Sequence, residues 1–307
     1  MRISHNMVGM RMIAGVQQNL EELVRAQERM STGKKINRPS DDPTGANRVI
    51  EMRIALNHNY QWSRNITDGL SWLYETDAAL DDATGLLQKA REIAVQGATD
   101  TLTPDNRAAL ADQIEGIIDG ILKVANTQLG GKYIFAGTMT STKPYTIDDW
   151  VTGQVTYHGD TGQVEREVAV DHTVRVDAGL EGSRGVFGQV GGGGVVTGGI
   201  FETLFELRNA LDNNDTAEIS RLIGDIDQGM DEVMEFRVKI GSRTNHLESL
   251  KGQYMDQEIR FTGVISSLQD SDIGRVTIEF TQREIAYRAS LAAGARLMQT
   301  TLIDFLR

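Results

Sequence analysis

Apolar residues recur at alternating three- and four-residue spacing in five stretches of this chain, the pattern of a narrow seam between long helices. The first is Ile13, Val16, Leu20, Leu23, Gln27 and Met30. The second runs from Leu56 through Asn59, Ser63, Ile66, Leu70, Leu73, Asp77, Leu80 and Thr84 to Leu87, with polar residues at four of its positions. A third, Leu110, Ile114, Ile117, Ile121 and Val124, follows Thr103-Pro104, an N-cap and first-turn pair, and stops at Gly130-Gly131. The fourth holds its seven-residue repeat longest: Ile219, Leu222, Ile226, Gly229, Val233, Phe236, Ile240, Arg243, Leu247, Leu250, Tyr254, Gln257 and Phe261. Asp215 with Glu218 reads as a capping box at its start. After a break near 263–272 comes the last run: Ile273, Val276, Phe280, Tyr287, Leu291, Met298 and Phe305.

Between the third and fourth stretches the period changes. Tyr133-Ile134-Phe135 is a short strand-like run, and Val155 and Tyr157 alternate with polar neighbours. His158-Gly159-Asp160-Thr161-Gly162 reads as a turn, after which Val164, Val168, Val170, Val174 and Val176 stand at mostly even spacing. The expectation is two or three hairpins over 132–199, with Gly191-Gly192-Gly193-Gly194 as a flexible linker. The only prolines are Pro39, Pro43, Pro104 and Pro144, so little interrupts the helices toward either end. The fold class is therefore mainly α with an inserted β-rich domain, its long antiparallel coiled-coil or bundle helices built from both chain ends. The divisions are an inner helix and connector at 1–43, a first bundle segment at 44–131, the β-rich insert at 132–199, a second bundle segment at 200–263 and an inner helix at 264–307.

Charge sharpens the picture. The net charge is -12, yet residues 1–60 hold nine Lys/Arg against six Asp/Glu and residues 264–307 balance at five each. The excess of acid lies between them. An acidic middle repels phosphate backbones and excludes nucleic acid as the main partner, while weakly charged ends let like subunits approach. No stretch approaches the roughly 18 unbroken apolar residues of a membrane span, and Met1–Met7 contains no apolar core of a secretory signal. Without cysteine there are no disulfides, thiolate metal sites or cysteine nucleophiles.

Candidate chemistry adds little. His5, His58, His158, His172 and His246 lack ligand spacing, so no metal or cofactor is expected. Asp81-Asp82 and Asp148-Asp149 read as solvated surface rather than an acid–base pair, and the glycine run lacks the Lys-Ser/Thr of a phosphate loop. No catalytic residue is assigned. The residues that matter are instead those of the terminal seams: Ile13, Val16, Leu20, Leu23, Met30, Ile273, Val276, Phe280, Tyr287, Leu291, Met298 and Phe305, a candidate assembly interface. Too few large apolar residues lie in these ends to offset the entropy of ordering them alone, so the ends are expected to become ordered by packing on each other and on neighbours. Gly33, Pro39, Asp41, Asp42 and Pro43 form the candidate connector, Asp42 capping a helix that Pro43 begins.

The segment RMSTGKKINRPSDDPTGA at 29–46 resembles the N-terminal signature of the flagellin superfamily, and VTIEFTQREIAYRASLAAGARLMQTTLIDFLR at 276–307 resembles its C-terminal counterpart. The opening MRIS, LGGKYIFAGTMTSTKPY at 129–145 and the closing LMQTTLIDFLR are similar to the hook-associated members of that superfamily. The resemblance covers about the first 140 residues and the last 100. It implies an extracellular flagellar subunit, exported unfolded through the type III apparatus, with terminal helices in an inner layer and the β-rich part outermost. It also implies self-assembly into a ring at the hook–filament junction, the first hook-associated protein on one side and flagellin on the other. A cytoplasmic chaperone would hold the C-terminal helix before export. A short flagellin is the second reading, and an enzyme or adhesin carried by 132–199 the third.

Overall fold

The computed structural model describes the backbone of residues 5–177 and 184–305, with side chains at 7, 9–177 and 184–296. Among the described residues six α-helices accompany nine short strands. Helix α1 is His5–Thr32, α2 is Pro43–Gly97 and α3 is Pro104–Ala125. The strands follow: β1 Gln128–Leu129, β2 Lys132–Tyr133, β3 Tyr145–Asp149, β4 Gln154–Tyr157, β5 Glu165–Ala169, β6 His172–Arg175, β7 Arg184–Gly185, β8 Gly188–Val190 and β9 Val195–Thr197. Helices α4 Gly199–Asp212, α5 Thr216–Gln269 and α6 Ile273–Phe305 complete the chain. Two compact units result, a terminal one of residues 1–59 with 255–307 and a central one of residues 60–254. Helices α2 and α5 contribute residues to both.

The central unit owes its core to the second, third and fourth seams. Ile66, Leu70, Leu73, Leu80 and Leu87 of α2 are buried with Ile219, Leu222, Ile226, Val233, Phe236, Ile240 and Leu247 of α5. Leu110, Ile114, Ile117 and Ile121 of α3 and Ile200, Phe201, Leu204 and Leu207 of α4 close the same core. Thr103 accepts the Asn106 N–H at 3.4 Å and Pro104 opens α3, as the sequence predicts. At α5 only half of the capping box forms. Asp215 Oδ1 accepts the Glu218 N–H at 3.1 Å, whereas the Asp215 N–H donates to Ala210 and the Glu218 carboxylate turns to Arg221.

Five strands form one antiparallel sheet in the order β3-β4-β9-β8-β7, while β5–β6 and β1–β2 are separate hairpins. Tyr145, Phe187 and Phe201 stack tilted and edge-on beneath the sheet, with centroids 5.5 to 6.0 Å apart. The β5–β6 hairpin lies on the helices: Asn65 donates to the Glu167 carbonyl, Arg166 meets Asp68 at 2.7 Å and Tyr254 donates to the Val168 carbonyl. A register shift between Glu167 and Ala169 breaks the even valine pattern, so Val168 and Val176 are buried while Val170 is exposed at the hairpin tip.

Two local expectations change and a third gains detail. Residues 191–194 are an ordered turn between β8 and β9, closed by the Gly191 N–H donating to Val195 O at 2.8 Å, with Gly193 and Gly194 at φ of 76° and 83°. Glycine serves there for left-handed backbone, not slackness. The stretch 158–162, read as a turn, links β4 of the five-stranded sheet to β5 of the separate hairpin, and Asp160 organises it by accepting from the Thr138 and Gly162 N–H groups. Helix α5 continues through 263 to Gln269, leaving a gap of only residues 270–272 before α6; Gly263 costs the helix about 1 kcal/mol relative to alanine, too little to end it.

Candidate functional site

The terminal helices α1 and α6 pack on each other antiparallel. Arg29 reaches Glu279 at 3.2 Å, Arg283 pairs with Glu22, and Met12 lies against Gly294. These pairs run in opposite directions along the two helices. The contact face of α1 carries Ala26, fully buried, with Met12, Val16, Leu23 and Met30 half-buried. On α6 it carries Val276, 5% exposed, with Phe280 and Tyr287 half-buried.

The candidate interface residues thus divide. Val16, Leu23, Met30, Val276, Phe280 and Tyr287 face the intramolecular partner, whereas Ile13, Leu20, Ile273 and Leu291 remain exposed. The side chains of Met298 and Phe305 lie outside the described residues. Exposed with the second group are Met7, Met10 and Val24 on α1 and Ile278 and Ile285 on α6. Met10 is 64%, Ile13 60%, Ile278 62% and Ile285 63% exposed. Isolated surface apolar residues are ordinary on a protein of this size. On α1 the exposed Met10, Ile13, Leu20 and Val24 share one face beside the closed seam, whereas on α6 Ile273 and Leu291 border the seam and Ile278 and Ile285 lie on the opposite face.

The connectors meet at the root of this pair. Lys34 and Asp270 form an isolated antiparallel bridge, flanked by Lys35 N–H donating to Gln269 O at 2.7 Å and Ser271 N–H donating to Gly33 O at 2.8 Å. Gln269 adds two side-chain bonds, its amide donating to Ile36 O at 3.2 Å and its oxygen accepting from Arg53 at 2.8 Å. Gly33, at φ 69°, allows the chain to leave α1. Asp42 caps α2 by accepting the Gly45 N–H at 2.9 Å, directly before Pro43. Asp41 accepts the Arg38 and Asn37 N–H groups at 2.9 and 3.1 Å; those two bonds, Arg38 first, hold its carboxyl below the usual range. Pro39 is exposed within this loop.

Sequence pattern missed Gln269, whose role runs through backbone and amide groups that no periodicity reports. It also missed Ala26 and Gly294, small residues that permit close approach without scoring as apolar. The ion pairs Arg29–Glu279 and Glu22–Arg283 had a visible signal, complementary charges flanking both terminal seams.

No group of three His, Asp or Glu side chains among the described residues is placed to hold a metal ion. Asp81 pairs with Arg237 at 2.7 Å. Asp148 accepts the Thr156 hydroxyl at 2.5 Å, and that bond keeps its carboxyl acidic, the opposite of what a general acid needs. Among the described residues no helix is long and apolar enough to cross a membrane.

Comparison with known proteins adds a family. The model of the bacterial flagellin N-terminal helical region matches residues 3–140. Flagellar hook-associated protein 3 of Escherichia coli (strain K12) is 26% identical over 95% of this chain and 96% of its own. A flagellin of Halalkalibacterium halodurans is also 26% identical, over 97% and 96%. The crystal structure of flagellar hook associated protein-3 from Legionella pneumophila has the same fold, with a TM-score of 0.60 at 16% identity over 72% of this chain and 98% of that one.

Proposed function

We propose that this chain, similar in its N-terminal part to the bacterial flagellin N-terminal helical region and along its length to hook-associated protein 3 and flagellin, is a flagellin-superfamily structural subunit at the junction of flagellar hook and filament. It acts by joining copies head to tail through its terminal helices. The exposed apolar residues of α1 and α6 outside their closed seam support this reading. A chain that closed all its apolar faces internally would have nothing to offer a neighbour. Heterologous packing gives a ring two chemically different faces, which a joint between unlike partners requires.

In this reading residues 1–43 and 264–307 form the inner layer, 44–131 and 200–263 the bundle layer, and 132–199 the outermost part. The first hook-associated protein lies on the hook side and flagellin on the filament side. A cytoplasmic chaperone covers the C-terminal helix until the unfolded chain leaves through the flagellar export apparatus, without a cleaved signal. No catalytic step is involved.

A short flagellin is the second reading, favoured by the full-length similarity to the Halalkalibacterium halodurans flagellin. Electron microscopy of a strain lacking this gene separates the two. A junction subunit leaves intact hooks that shed flagellin into the medium. Hooks still carrying filaments would exclude the junction role, and secretion of no flagellin at all would favour the chain as the filament protein itself.

A further inference from the structure

We propose that the pairing of the two connectors is a latch that makes α1 and α6 order and open together. The bridge between Lys34 and Asp270 stands two residues beyond the end of α1 at Thr32 and three before the start of α6 at Ile273. Fastening the roots of two antiparallel helices raises the effective concentration of each for the other. The seam from Arg29–Glu279 to Met12–Gly294 then closes from the latch outward. Gln269 sets where the latch sits, because its amide joins Ile36 of one connector to Arg53 of α2.

The latch is built to open. Its backbone part is one residue pair with two flanking hydrogen bonds, supplemented by the side chains of Gln269 on Ile36 O and of Lys35 on Ser267 O. Closing it also buries the Ser271 hydroxyl with no hydrogen-bond partner among the described residues, a cost that opposes the closed state. Gly33 at φ 69° gives the N-terminal connector a pivot that other residues adopt only with strain. A permanent strap would show a longer ladder and no orphaned polar atom. The inference concerns the single chain and goes beyond the function proposed above.

The absence of cysteine makes the test clean. With Lys35 donating to Gln269 and Ser271 to Gly33, residues 34 and 270 form the close, non-hydrogen-bonded kind of antiparallel pair, about 4.5 Å between Cα atoms and within disulfide reach. The full-length K34C/D270C variant is expected to cross-link within one chain in dilute solution. Amide exchange across both α1 and α6 should then slow on the order of tenfold, about what two backbone hydrogen bonds supply, and return to parental rates on reduction. Failure to cross-link would overturn the latch, as would oxidised and reduced forms exchanging alike. Q269A is the second probe: it should speed exchange in α1 and α6 in parallel while leaving α3 and the β5–β6 hairpin unchanged. Acceleration confined to α6 would contradict the coupling. The measurement uses monomer alone, so its outcome is independent of whether the chain joins hook to filament.

Discussion

Met12 on α1 places its thioether methyl in the space that a side chain at Gly294 on α6 would occupy. A flexible methionine opposite a glycine is a knob facing an empty position, and it brings the helices close where both lack large partners. Alanine at 294 is tolerable, because the far end of Met12 can swing aside and alanine favours helix by about 1 kcal/mol over glycine. Leucine is not. Gly294→Leu is expected to separate the pair at an overpacking cost of roughly 1–3 kcal/mol, read as faster amide exchange in both helices. Adding Met12→Ala should recover much of the loss. A double variant no better than the sum of the two single ones would show that the residues do not meet.

Asp42 carries the connector into α2 by capping Gly45, and Pro43 fixes the first helical dihedral. Asp42→Ala with Pro43→Ala is expected to cost about 1 kcal/mol at that helix end. Because Asp42 belongs to the terminal unit, assembly should weaken more than the melting of the central core. Parallel loss in pelleting assays and in thermal unfolding would make the connector ordinary structure.

The long seams were legible because leucine, isoleucine and valine repeat where α2, α3 and α5 bury them, from Leu70 to Tyr254. The terminal helices were harder to read. Ile13 and Leu20 obey the same period as Val16 and Leu23, and sequence spacing cannot say which face meets α6 and which stays open. The choice falls to Ala26 and Gly294, which allow close approach, and to Arg29–Glu279, which sets the register. The connector bridge was invisible for another reason: its bonds are mostly backbone, and Lys34 and Asp270 are 236 positions apart.

Acid should loosen the connector before it loosens the core. Asp41 has a folded-state pKa depressed by the N–H groups of Arg38 and Asn37. Its contribution is therefore present above the unfolded carboxylate value, about 3.9, and is lost as pH falls through the lower folded value. Amide exchange of residues 37–41, corrected for intrinsic pH dependence, is expected to accelerate in that window. Asp41→Asn should show weakened protection already at neutral pH and a flatter acid response.

Arg107 is 3% exposed, and its partners among the described residues are carbonyl and amide oxygens, not a carboxylate. Its guanidinium donates to Gly97 O at 2.8 Å, Thr99 O at 2.7 Å, Leu102 O at 3.1 Å and the Asn214 side chain. It thereby caps the C-terminal end of α2, where a cation is favoured, and joins that end to the α4–α5 turn. Arg107→Met removes these bonds and leaves buried carbonyls unsatisfied, so a loss of about 3 kcal/mol or more is expected in denaturant unfolding of the central unit. A change under about 0.5 kcal/mol would mean that water replaces the guanidinium.

The most direct test of the account sets the exposed apolar residues of α1 and α6 against their closed seam. Ile13→Asp with Leu20→Asp and Ile285→Asp charges only exposed positions, so circular dichroism and monomer exchange should match the parent. Sedimentation of the full-length protein at rising concentration, with negative-stain imaging of what pellets, is the measurement. The account expects the parent to form ordered oligomers and the charged variant to remain monomeric with its fold intact. A charged variant that assembles as readily as the parent would contradict it.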